Sequence, residues 1–129
     1  MKVMKQSRLS ERAVKFILSR RVEELTALTP VNVAGSLGIE PADLCRQFEK
    51  DQSMSLERFI QREKIYRALF IIEKNRDISE RTLAAQLGFN NSQDFADEFE
   101  THLLVKPHKY IYLKKKHEAM LKLQDLLPV

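Results

Sequence analysis

Three glycines and four prolines in 129 residues leave little material for tight hairpins and strands, so an all-α chain is expected. A single cysteine, Cys45, excludes an internal disulfide and fits a reducing compartment. No apolar run approaches the roughly eighteen residues that a bilayer span requires. The opening MKVMKQSRLSERAVK also has no apolar stretch of the signal-peptide kind. A cytoplasmic protein without a membrane partner is therefore expected. Catalytic signatures are missing too. His102, His108 and His117 are not paired with cysteines at zinc spacing, and there is neither a Gly-rich phosphate loop nor a nucleophile elbow. The sequence points to no enzyme, no metal and no other cofactor.

What is present is helical periodicity around one central stretch. In SLERFIQREKIYRALFIIEKN, residues 55–75, apolar side chains at Leu56, Phe59, Ile60, Ile65, Ala68, Leu69 and Ile72 follow the 3- and 4-residue steps of one helical face. Ser55 offers an N-cap oxygen, and neither Gly nor Pro interrupts before Asn75. Such a helix spans roughly 30 Å.

The segments on either side are copies of each other. Thr29, Val33, Ala34, Leu37, Gly38 and Ile39 recur fifty residues on as Ser79, Leu83, Ala84, Leu87, Gly88 and Phe89. Leu44, Phe48 and Phe59 then recur fifty-one residues on as Phe95, Phe99 and Tyr110, with the extra residue in the Asn90-Asn91 turn. One supersecondary unit occurs twice.

In chain order, Ser10 is the expected N-cap of a first helix through Ala13, Val14, Ile17 and Leu18. Thr29-Pro30 starts a short helix that Gly38 ends, and Pro41 starts another through Leu44 and Phe48 to about residue 51. Two short helices joined at such a turn describe a helix-turn-helix, a geometry shared with ordinary αα-corners. Ser79, Gly88 and the helix from about Ser92 to His102 repeat the scheme, and Lys106-Pro107 opens a last helix. Two such units on a stiff helix could place reading helices about 34 Å apart, one turn of B-DNA.

Residues 10 to about 112 resemble the DNA-binding domain of the AraC/XylS family of bacterial transcription regulators. The resemblance is carried by ALTPVNVAGSLGIEPADLCRQFEK, SLERFIQREKIYRAL, ISERTLAAQLGFNNSQDFADEFE and KPHKY. It implies an all-α fold of about seven helices. The expected parts are a first helix-turn-helix subdomain at about 10–54, a linking helix at 55–75, a second subdomain at about 76–112 and an extension at 113–129. It further implies double-stranded DNA as the partner, with the helices at 41–51 and 92–102 as readers.

Arg46 is the strongest candidate for a base contact: guanidinium pairs bidentately with guanine, and the family usually has a contacting arginine there. Ala42, Gln47 and Gln93 are further base candidates. Arg46 could instead be a solvated partner of Asp43 or Glu49. For phosphate, the candidates are Thr29 and Val31 at one helix start, His108 and Lys109 at another, and Lys50 and Arg62. Arg58, Arg62, Lys64 and Arg67 read first as a solvated face alternating with Glu57 and Glu63, Arg62 being the one of them also expected on DNA.

The second reader departs from the family, which commonly has arginine or neutral polar residues at positions 97 and 98. It carries Asp94, Asp97, Glu98 and Glu100, with no Lys or Arg between Asn90 and His102. Such a helix is not expected to lie in a major groove in the usual way. Family members also often end each reader with glycine, where this chain has Ser53 and Leu104.

Charge is unevenly spread. Residues 1–21 carry seven bases and one acid, and residues 106–129 carry six bases and two acids. The middle carries nine bases and fifteen acids. An acidic middle admits another role, a protein-interaction module holding a partner regulator or RNA polymerase. In the extension, Leu113, Met120, Leu121 and Leu127 could share a helical face. Packing back on the domain is the first expectation, a dimer contact the second, and an electrostatic arm of Lys114, Lys115 and Lys116 the third.

Overall fold

The computed structural model describes the backbone of residues 2–126 and the side chains of residues 9–126. Among them are eight helices and no strand: α1 (Lys2–Leu18), α2 (Val22–Leu25), α3 (Pro30–Leu37), α4 (Pro41–Gln52), α5 (Leu56–Lys74), α6 (Glu80–Gln86), α7 (Ser92–Leu103) and α8 (Pro107–Leu126). The chain divides into two compact units, one reaching to Tyr66 and the other beginning at Arg67, so the division falls inside α5.

In the first unit, local chemistry sets the helix ends. Thr29 Oγ1 accepts the Asn32 amide at 3.2 Å, and Pro30 takes the first helical position of α3, where no amide is needed. Gly38 ends α3 at φ +69, with the Ile39 amide donating to the Ala34 carbonyl at 2.9 Å. The core collects Ala13, Ile17, Leu25, Val33, Ala34, Leu44, Phe48, Leu56, Phe59 and Ile60 from five helices.

Ser10 does not cap the first helix. α1 begins eight residues earlier, at Lys2, and Ser10 lies within it, 1% exposed. Its hydroxyl donates to Asp51 Oδ2 at 2.6 Å and so ties α1 to α4. Arg12 fastens α1 to the end of α3 by donating to the Leu37 carbonyl at 3.2 Å.

The second unit repeats the helix ends of the first. Ser79 Oγ accepts the Thr82 amide at 3.1 Å, Gly88 stands at φ +81, and the Phe89 amide reaches the Ala84 carbonyl at 3.0 Å. The Phe48–Phe59 edge-to-face pair, with centroids 5.3 Å apart, has its counterpart in Phe99–Tyr110 at 5.8 Å. Leu56 and Pro107, fifty-one residues apart, are both buried. Even the departures from glycine match: Ser53 ends α4 at φ +56 and Leu104 ends α7 at φ +61, each with its amide on a carbonyl four residues back. The left-handed turn is kept at both sites, at a cost of roughly 1–2 kcal/mol for a side chain with a Cβ.

The expectation of a single buried face on α5 needs correcting. The buried side chains of α5 do not lie on one face. Leu56, Phe59 and Ile60 are buried together, but the next buried apolar residue, Ile65, is five positions on, about 140° further round the helix, and Ala68 and Ile72 follow Ile65. The helix changes its buried side midway, and its first turns complete the core of the first unit.

Residues 113–126 continue α8 and lie against the domain as far as Glu118, through charge rather than an apolar face: Lys114 pairs with Glu73 at 3.1 Å, Lys115 with Asp77 at 3.0 Å and Glu118 with Arg76 at 2.9 Å. The Lys114 hydrogen bond lowers the Glu73 pKa and raises that of Lys114. Two of the three lysines of the expected electrostatic arm are thus engaged by the unit's own acids. Beyond Glu118, Met120, Leu121, Leu123 and Leu126 are exposed, and Leu127 lies outside the described residues.

Candidate nucleic-acid interface

Burial of Leu44 and Phe48 turns Ala42, Arg46, Glu49 and Lys50 to the opposite side of α4, where all four are exposed. The Arg46 side chain is 74% exposed and donates through a guanidinium nitrogen to Asp43 Oδ1 within the same helix. The solvated-pair alternative describes the free chain. A pair this exposed contributes at most about 1 kcal/mol, so Asp43 holds Arg46 without locking it.

Gln47 stands differently. Its amide donates to Asp51 Oδ1 at 2.9 Å, and Asp51 also receives the Ser10 hydroxyl. The Ser10 bond, then that of Gln47, holds the Asp51 carboxyl below the usual aspartate range. Gln47 therefore belongs to a chain of hydrogen bonds that anchors α4 on α1. Gln93 makes the same i,i+4 bond on α7, to Asp97 Oδ1 at 2.8 Å.

The helix starts differ as well. Thr29 and Val31, at the start of α3, are exposed, Val31 by 63%. At the start of α8, the His108 amide donates to Glu80 Oε1 at 2.8 Å, and its ring Nδ1 lies 3.2 Å from the same oxygen. A carboxylate of the chain itself holds the position proposed for phosphate, while Lys109 next to it is exposed. On α5, the Arg62 guanidinium lies over the Phe59 ring at 5.2 Å and the Tyr66 ring at 5.6 Å, leaving its charge partly open.

Lys64 is not part of a solvated face. It is 8% exposed, and burial pushes its pKa down. Its spacing, four residues after Ile60 and four before Ala68, marks a buried position; a sequence reading misses it because a lysine among Glu57, Arg58, Glu63 and Arg67 reads as solvated.

The exposed face of α7 places Gln93, Asp97, Glu100 and Thr101 where α4 has Ala42, Arg46, Glu49 and Lys50. Both cations of α4 are lost on α7, one of them to a carboxylate. Among the described residues, no group of three or more His, Cys, Asp or Glu side chains could hold a metal, and no helix is long and apolar enough to cross a membrane.

Two solved structures have this arrangement of helices. The C-terminal domain of AraT, a response regulator from Geobacillus stearothermophilus, matches with a TM-score of 0.63 at 22% identity, over 81% of this chain and 84% of that one. A DNA-binding transcriptional dual regulator from Escherichia coli K-12 matches with a TM-score of 0.68 at 18% identity, over 81% of this chain and 95% of that one. This chain shares their fold. No family model and no curated protein matches it.

Proposed function

We propose that the chain is a sequence-specific DNA-binding transcription regulator of the AraC type, reading double-stranded DNA mainly through α4. The observation that carries this is the exposed Arg46–Lys50 face on the second helix of a bihelical corner that occurs twice. The shared fold with a protein described as a DNA-binding transcriptional regulator supports it. Arg46 reads a base after exchanging Asp43 for guanine. Ala42 lies beside it, and Thr29, Val31, Lys50, Arg62 and Lys109 face phosphates. Gln47, Gln93 and His108 join only after releasing Asp51, Asp97 and Glu80. The protein acts in a bacterial cytoplasm.

The test uses duplexes selected from random genomic DNA, compared with scrambled duplexes by fluorescence anisotropy. Arg46→Ala is expected to reduce the preference for the selected sequence by about 5- to 150-fold, the equivalent of 1–3 kcal/mol per bidentate contact. Its affinity for scrambled DNA should fall far less. An equal loss on both duplexes places Arg46 on phosphate and contradicts the assignment.

The acidic face of α7 favours a second reading, a docking surface for a basic region of RNA polymerase or a partner regulator. Capture of such a partner without DNA, lost on Asp97→Lys, would decide for it.

A further inference from the structure

Lys64 has no evident structural reason to be charged and buried. Its Nζ can donate three hydrogen bonds, and among the described residues its acceptor is the Thr26 carbonyl at 3.4 Å. One long bond compensates poorly for removing an ammonium from water.

The surroundings suggest what completes it. Lys64 lines a cavity of about 200 Å³ in the first unit, together with Thr26, Pro30, Glu57, Ile60 and Gln61. Gln61 lines the cavity as well, and its Oε1 is buried with no hydrogen-bond partner. An unfilled acceptor and an under-coordinated cation thus belong to side chains of the same cavity wall. Glu57, exposed, adds a carboxylate at the rim. Glu57, Gln61 and Lys64 share one side of α5, with the two charges about 10 Å apart along the axis. Ile60 and Pro30 supply an apolar wall.

We propose that this cavity binds a small zwitterion of the α-amino acid class. Its carboxylate takes the free protons of Lys64, its ammonium donates to Gln61 Oε1 and Glu57, and its side chain lies against Ile60 and Pro30. A simple anion would leave Gln61 Oε1 unsatisfied and face Glu57, and a simple amine would face Lys64. The volume is below the roughly 300 Å³ of pockets for drug-sized ligands, as suits a single amino acid. Lys64 lies on α5 and Thr26–Pro30 lead into α3, so the ligand would bridge two elements of the first unit. This inference does not depend on DNA binding.

The test is a two-dimensional amide NMR titration of the full chain with L-valine, isovalerate (valine without its ammonium) and isobutylamine (valine without its carboxylate). L-valine is expected to give saturable shifts at residues 26–29 and 57–64. Each analogue should bind at least about tenfold more weakly, because each lacks one charged hydrogen-bonding group. Lys64→Met should abolish the L-valine shifts with amide dispersion intact. Should that variant not fold, Glu57→Gln, at an exposed position, is expected to weaken L-valine about tenfold and leave isovalerate unchanged. Absence of saturable L-valine shifts, or isovalerate binding as tightly as L-valine, would overturn the proposal.

Discussion

Asp97→Arg is expected to strengthen binding to duplex DNA of any sequence by about 30-fold at low salt. Asp97 occupies on α7 the place that Arg46 occupies on α4, fifty-one residues earlier, on a helix of the same length that ends in the same left-handed C-cap. Its side chain is exposed and accepts a bond from Gln93, so the substitution breaks no core contact. One like charge near a phosphate costs about 1 kcal/mol at 4 Å in water, so reversing its sign amounts to about 2 kcal/mol, or about 30-fold. The gain should shrink as salt is added. Electrophoretic mobility shift on a scrambled duplex measures it. Weakened binding would mean that the Asp97 carboxylate itself reads DNA, for instance at cytosine N4, and the acidic helix would then be a reader.

Phe99→Ala is expected to unfold the second unit. Phe99 is fully buried and packs edge-to-face with Phe95 at 5.7 Å and Tyr110 at 5.8 Å, while Phe95 also meets Phe89 at 5.4 Å. Truncating a buried phenylalanine costs about 3–5 kcal/mol, and the aromatic contacts add about 0.5–1.5 kcal/mol each. At about 0.05–0.15 kcal/mol per residue, a unit of this size has only some 3–9 kcal/mol to lose. Amide NMR should show residues 76–112 losing dispersion while residues 9–60, with their own core, keep theirs. A variant that melts like the parent would show that the ladder does not hold the unit together.

The repeat was readable because the same few contacts set both units. Ser or Thr caps, a left-handed glycine and two inward aromatics recur at fixed spacing, and each corresponds to a bond or ring pair in the structure. The face of α5 was misread for the opposite reason. Three- and four-residue steps continue on either side of a five-residue gap, so local spacing looks regular while the buried side rotates. Ser10 misled because a serine within a helix and a serine at its start look alike; only the distant Asp51 distinguishes them. Of the candidate base-contacting residues, Ala42, Arg46 and Gln93 stand on exposed helix faces and Gln47 is half-buried. Their partners were not foreseen: Asp51, Asp97 and Glu80 hold Gln47, Gln93 and His108 through bonds that depend on side-chain rotamer and long-range approach.

The most direct measurement is the affinity for a selected duplex at several salt concentrations between about 50 and 200 mM. With Arg46, Lys50, Arg62 and Lys109 facing the backbone or base edges, the account predicts a logarithmic slope of about −3 or steeper, at roughly −0.9 per neutralised phosphate. Undetectable binding at the lowest salt, or an affinity that does not change with salt, would contradict it.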